Sequence, residues 1–469
     1  MKFRRIWLMT ALVAILASTT GAIAQVAAAT KPSTTTATTI TAPQAIAPKV
    51  PNGSAPAGSA NWTTFHNDKA RSGYDSNEGL FSSLGAGWTD TNLIGDIYAE
   101  PLVYKSMVYI VTEDNYLYAL QDTTGVVLWS RHLATPMSSS GLPCRNVTPH
   151  VGITGTPVID TSLNRISMVG MVSTGHFVLW GVDLSSHSLK VSHYVDPANL
   201  DITKAQGQRG ALGISSGLVY IPYGGRAGDC FSPLGHTYYG IVLGARETDG
   251  AVLYRFQTNG TGSVWAAGGE SIDSTNHVYV AIGNGSPPDS ERVFKLNPNL
   301  SRQNSFVPAN QSSLDAADAD VGSIIPELVG GGDVFQNGKT GDGYLLNSSL
   351  ARQQGPTHVC TGLTSDASFG AAAYWAPYIY VPCSNGLYAL TQTGSTFAPA
   401  WSYTTGGVDA SPPIVAGGNV IFIDHNSNTL VVLNATTGAP VASAQLGSTT
   451  HFGTPATGNG FVFAADQGT

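Results

Sequence analysis

The phrase that decides the fold opens at Glu100-Pro101, runs through Val108-Tyr109-Ile110 and Leu117-Tyr118-Ala119-Leu120, and closes on Thr124-Gly125 and Leu128-Trp129. Residues 411–441 repeat it as Ser411-Pro412, Val420-Ile421-Phe422-Ile423, Leu430-Val431-Val432-Leu433, Thr437-Gly438 and Val441. Weaker copies follow Thr156-Pro157, Leu212-Gly213, Ala267-Gly268, Ile325-Pro326, Ala371-Ala372 and Thr454-Pro455. Each copy strings short β-branched or aromatic runs between Gly, Asn or Asp turns, as antiparallel hairpins require. The Thr-Gly pair supplies the positive φ of the last hairpin. Eight units across residues 62–469 give about 51 residues each, the size of one four-stranded propeller blade. Seven copies are whole, whereas the eighth starts at His451 and stops at Thr469, where its third strand should begin. Gly85-Ala86-Gly87-Trp88 reads like the missing outer strand. The expected fold is therefore all-β, an eight-bladed β-propeller of four-stranded antiparallel blades closed by strands from both termini. Such closure removes open sheet edges.

Composition agrees. Only 11% of the 469 residues are charged, 54 are glycine and six are methionine. This disfavours helical bundles and coiled coils. A net charge of −8 leaves no basic stripe to replace phosphate counterions, so nucleic acid is excluded as a partner.

The N-terminus reads as an address. Lys2, Arg4 and Arg5 precede the apolar run from Ile6 to Ala17, and Ala22-Ile23-Ala24 has the small-x-small form of a signal-peptidase site. Residues 1–24 are expected to be a signal peptide cleaved near Ala24, the run being too short for a membrane span. Residues 25–60, rich in Thr, Ala and Pro, are expected to be a flexible linker. Residues 61–469 form the propeller domain. A secreted or periplasmic monomer without a membrane span is the expectation.

The repeat phrases resemble the PQQ-like propeller repeat, found in eight-bladed quinoprotein alcohol dehydrogenases and in the barrel-assembly lipoprotein's propeller. The resemblance covers about residues 62–469, and the nearer likeness is to secreted bacterial propellers of unassigned function. Its carriers are Val151-Gly152-Ile153-Thr154-Gly155-Thr156-Pro157, Gly228-Asp229-Cys230, Val280-Ala281-Ile282-Gly283-Asn284-Gly285, Leu314-Asp315-Ala316-Ala317-Asp318-Ala319-Asp320 and Tyr380-Val381-Pro382-Cys383. Members that are dehydrogenases resemble one another in an adjacent Cys-Cys disulfide over the quinone and a stacked Trp. They also hold Ca2+ by Glu, Asn and Asp beside an Asp base. This chain has neither a Cys-Cys pair nor a Cys-x-x-Cys-His for haem. The resemblance thus implies PQQ and Ca2+ as cofactors only in its dehydrogenase branch. It is strong for fold and weak for chemistry, because repeat motifs maintain blades while function sits in grafted sites.

Four cysteines in an exported chain read first as disulfides. Of the three possible pairings, neighbouring-blade geometry favours Cys144 with Cys230 and Cys360 with Cys383. Asp315, Asp318 and Asp320 gather the oxygen density that Ca2+ needs, although without EF-hand spacing. One of them capping a loop is the plain alternative. The innermost strand of every blade lines a propeller's channel, so Glu100, His150, Arg209, Trp265, Asp320, Asp409 and His451 are expected around one funnel. Asp320 and Arg209 are the candidates for chemistry there. Trp265 either forms a stacking floor or packs between blades. His236 is read as satisfying a loop, and Gly330-Gly331-Gly332 lacks the helix a phosphate loop needs. Sequons such as Asn146-Val147-Thr148 matter only if the source glycosylates exported proteins.

Three function classes fit. The first is a non-catalytic extracytoplasmic module that binds a ligand or an envelope or extracellular protein. The second is a PQQ- and Ca2+-dependent dehydrogenase using the funnel. The third is a cell-surface scaffold. No substrate can be named from the residues.

Overall fold

The computed structural model describes residues 45–47, 61–90, 92–226 and 237–465. The expected signal peptide and most of the expected linker lie outside the described residues, as do Cys230 and His236.

The fold is an all-β propeller of four-stranded antiparallel blades. Seven blades of consecutive chain are complete, one fewer than the eight expected. The first comprises Leu102–Tyr104, Met107–Val111, Tyr116–Gln121 and Val127–His132. The next six have innermost strands at Val158–Asp160, Gly213–Ser215, Ser271–Ile272, Glu327–Leu328, Ala373–Trp375 and Ile414–Ala416. The C-terminal hairpin of Ala456–Gly458 and Phe461–Ala465 is not a blade of consecutive chain. It pairs instead with Ala45–Ala47, from the stretch read as a linker, which pairs in turn with Trp88–Asp90.

Burial explains the residue pattern. The second and third strands of a blade are packed on both faces, so Val420–Ile423 and Leu430–Leu433 are apolar and buried without alternation. Outermost strands such as Val127–His132 and Pro440–Gln445 have one wet face and alternate or turn polar.

The Thr-Gly turns adopt the expected positive φ, 72° at Gly125 and 70° at Gly438. They carry a second load. A Cβ on Gly125 would lie 2.3 Å from the Trp88 ring, and one on Gly438 would lie 2.5 Å from Trp401. Each indole also donates to a carbonyl beside the turn, Trp88 to Asp122 at 2.6 Å and Trp401 to Ala435 at 3.1 Å. A tryptophan on an outer strand therefore clasps a turn of a neighbouring sheet. Trp129 repeats the contact by stacking on His187, itself at positive φ, with 4.4 Å between ring centres.

Residues 62–75 bond to nearly every innermost strand. Trp62 exchanges two backbone hydrogen bonds with Val103, Thr63 accepts from Ile159, Lys69 from Ile272, Ser72 from Tyr374 and Gly73 from Val415. Tyr74–Asp75 adds a parallel strand beside Val415–Ala416, and the Asp75 carboxylate accepts from Thr457. Phe65 packs with Ala211, Ala266, Ile325 and Ala371, which come from four different inter-blade segments. This segment fills the axis from one side.

Candidate functional site

A cavity of about 520 Å3 opens on the axis, lined by inter-blade segments. Arg209 comes from the segment before the third blade, Trp265 before the fourth, Asp318 and Asp320 before the fifth, Phe369 before the sixth, and His451 and Phe452 before the C-terminal hairpin. Ala266, packed on Phe65, directly follows Trp265, so the axial plug underlies the segment that floors the cavity.

Trp265 is half-buried and edged by Phe369 and Phe452, with ring centres 6.2 and 6.4 Å away. Two cations attend its ring. The Arg209 guanidinium carbon lies 6.0 Å from its centre and the Lys339 ammonium 5.5 Å, and Arg209 also covers Phe452 at 5.1 Å. Glycine at 283 makes this approach possible, because a Cβ there would lie 2.7 Å from the indole nitrogen and 3.1 Å from the Asp320 carboxyl carbon.

Asp318 sits in left-handed conformation at the end of the helix Gln311–Ala317, which turns the chain into the cavity. The Lys339 ammonium is 3.1 Å from Oδ2 of both Asp318 and Asp320. The other Asp320 oxygen accepts the Asn284 backbone N–H at 2.6 Å. Burial raises the pKa of Asp320, opposed by the charge of Lys339. Burial works against the Lys339 ammonium, yet Asp320 and Asp318 hold its pKa above the ordinary value. Burial and then Asp320 push the neighbouring Glu291 up to about 9. Burial and the Arg209 charge lower the pKa of His451.

Of the expected funnel residues, the cavity gathers Arg209, Trp265, Asp320 and His451. Asp409 lies behind His451 in an adjoining crevice shared with His425, where burial and Asp424 push it up to about 6. Glu100 is elsewhere. It is buried under the plug, accepting from the Trp62 indole and from His66 N–H. His150 is also elsewhere, bonded to Asp114 at 2.8 Å in a separate cleft with Tyr116 and His132. The inner-strand rule misplaced these two because Glu100 is taken up by Trp62 and His66, and His150 lies on the short pairing of Met137–Ser138 with His150–Val151, outside the blades. Lys339, Asn284, Phe369 and Phe452 were not expected in the funnel. The usable signal was Lys339, one of only 22 basic residues and set in the turn Asn337-Gly338-Lys339.

Cys360 and Cys383 form the expected disulfide, with 5.7 Å between Cα atoms. Cys144 is disulfide-bonded as well, and its expected partner lies outside the described residues.

Residues 86–184 match the family described as outer membrane protein assembly factor BamB. No curated protein sequence matches the chain. Solved structures do. A quinohemoprotein alcohol dehydrogenase from Pseudomonas putida HK5 aligns with a TM-score of 0.66 at 14% identity, over 87% of this chain and 76% of that one. A europium-containing methanol dehydrogenase aligns at 0.59 and 14%, covering 83% and 86%. BamB from Moraxella catarrhalis aligns at 0.53 and 12%, covering 79% and 97%. The fold is that of the PQQ-like propellers. At these identities the likeness carries fold and not activity.

The cofactors this fold implies can be tested against the residues. A flat, anionic quinone fits, since Trp265 offers a face and Arg209 and Lys339 offer charge. Such a group, when bound, would supply two-electron redox chemistry. The expected Ca2+ cluster does not fit. Asp315 turns away, accepting from Gly285 N–H at 3.1 Å and Ser290 Oγ at 2.8 Å, while Lys339 stands between Asp318 and Asp320. Among the described residues no group of three His, Cys, Asp or Glu could hold a metal.

Proposed function

We propose that this chain is an extracytoplasmic propeller, its ring closed by the pairing of N- and C-terminal strands, that binds a flat anionic small molecule in its axial cavity. One observation carries the ligand reading, the pair of cations set against a half-buried tryptophan. An indole face gives stacking area to a planar ligand, and flanking cations in a partly desolvated cup favour negative charge. The buried disulfide supports an oxidising compartment. No helix of the described residues is long and apolar enough to cross a membrane.

The test is a fluorescence titration with pyrroloquinoline quinone and with benzene-1,3,5-tricarboxylate. Saturable quenching is expected with at least one of them. Trp265→Ala should weaken binding, followed by calorimetry, by at least about tenfold, which is about 1.4 kcal/mol, with an unchanged circular-dichroism spectrum. Absence of binding by both probes, or a variant that binds like the parent, would count against the reading. A variant that loses stability but keeps binding would assign Trp265 to the core.

A second reading, oxidoreductase, is favoured by Asp320 standing beside the same tryptophan as a candidate base. Dye reduction by primary alcohols in the presence of pyrroloquinoline quinone separates it from simple binding. A protein-binding role finds support in the BamB likeness and in Leu128, Tyr194 and Leu253, exposed on the outer strands of the first three blades. Pull-down from envelope extracts with these residues made polar tests it.

A further inference from the structure

We infer that Lys339 is the resident cation of the axial cavity, closing the Asp318–Asp320 carboxylate pair to divalent metal. The inference shares the cavity with the proposed function, but it concerns cation binding alone, so the two fail separately.

The geometry is that of an ammonium in a metal's place. Nζ lies 3.1 Å from one oxygen of each carboxylate, within hydrogen-bond reach of both. Its side chain is 9% exposed, and that of Asp320 4%. Lys339 is fixed by its backbone, whose N–H donates to the Asp320 carbonyl at 3.0 Å, so lysine and aspartate are tied at two levels. The remaining Asp320 oxygen is spent on Asn284 N–H. A hard divalent cation needs six to eight oxygens and would have to expel the ammonium into a cup already holding Arg209. Like charges brought together in a partly buried site repel more strongly than they do in water. The same ammonium, with one side toward the Trp265 ring, remains available to a ligand oxygen.

Removing the ammonium should convert the pair into a cation site, because it leaves a nearly buried carboxylate uncompensated. Terbium luminescence sensitised by Trp265 reads this directly, with Ca2+ as competitor. The wild-type protein is expected to show no saturable, Ca2+-displaceable signal below millimolar concentration. Lys339→Met should bind at least about tenfold more tightly than the parent, Lys339→Arg should not, and Asp320→Asn in the Met background should abolish the gain. Wild-type binding that Asp320→Asn removes would overturn the inference, as would a folded Lys339→Met that gains no affinity. The wild-type arm decides alone if the Met variant does not fold.

Discussion

At the scale of single residues, the molecule buries acids that cannot ionise cheaply. Glu327 is fully buried and neither carboxyl oxygen has a protein hydrogen-bond partner. Burial, and then the charge of Asp68, raise its pKa well above 4.5. Burial likewise pushes Glu100 and Glu270 up to about 8, against the pull of Arg71. A carboxyl group with a raised native pKa binds more protons folded than unfolded, so its contribution to stability is lost as pH rises through the native value. Burial lowers His66 to about 3 and His425 to about 4, which has the opposite sign but acts only below the unfolded value of 6.5. Above pH 6.5 the acids act alone. Melting temperature should therefore fall between pH 6.5 and 9, and fall less steeply in Glu327→Gln, which keeps the shape without the proton. Parallel pH profiles for the two proteins would show that Glu327 is ionised in the native state.

At the scale of elements, clasps join the blades and a disulfide ties a blade to the segment that enters it. Gly438 combines a positive φ with a tryptophan pressed against its Cα. Gly438→Val should thus cost about 2–3 kcal/mol, from backbone strain and overpacking together, measured as a shift of the denaturation midpoint at constant m-value. An unchanged midpoint would mean that Trp401 swings away freely. The Cys360–Cys383 bridge joins the segment entering the sixth blade to that blade's second strand, with both cysteines in the same buried cluster. Its loss in Cys383→Ser should cost about 3 kcal/mol, as for a loop of this length. Reduction of the wild type with dithiothreitol should lower the midpoint in the same direction.

At the scale of the whole molecule, the plug determines whether the ring has a floor. Arg71 is wholly buried at its centre. It donates to Thr64 Oγ1 at 2.6 Å, to the carbonyls of Phe65, Leu212 and Glu270 at 3.1, 3.0 and 2.8 Å, and lies 3.9 Å from the Glu270 carboxylate. Removing the guanidinium leaves these buried acceptors unpaired, at about 1–3 kcal/mol for each such group. Arg71→Ala should therefore lower the melting temperature of the entire propeller in a single transition. An early, separate transition would instead mark the plug as an accessory that unfolds by itself.

The sequence by itself determined the blade, because a blade is local. Short apolar runs, turn residues at positive φ and a period near fifty residues are each properties of neighbouring positions, and hairpin physics converts them directly into four antiparallel strands. It also determined that inter-blade segments would meet on the axis, so Arg209, Trp265, Asp320 and His451 were legible as a group. Only the tertiary structure decided the rest. Whether Glu100 faces a channel or lies beneath Trp62 depends on a plug that bonds strands hundreds of residues apart. Whether three aspartates make a metal site depends on a lysine from the following blade, which no spacing within residues 315–320 announces. Periodicity encodes which residues share a blade. Which side chains meet across blades is set by packing around the axis, where a shift of one residue turns a side chain from cavity to core.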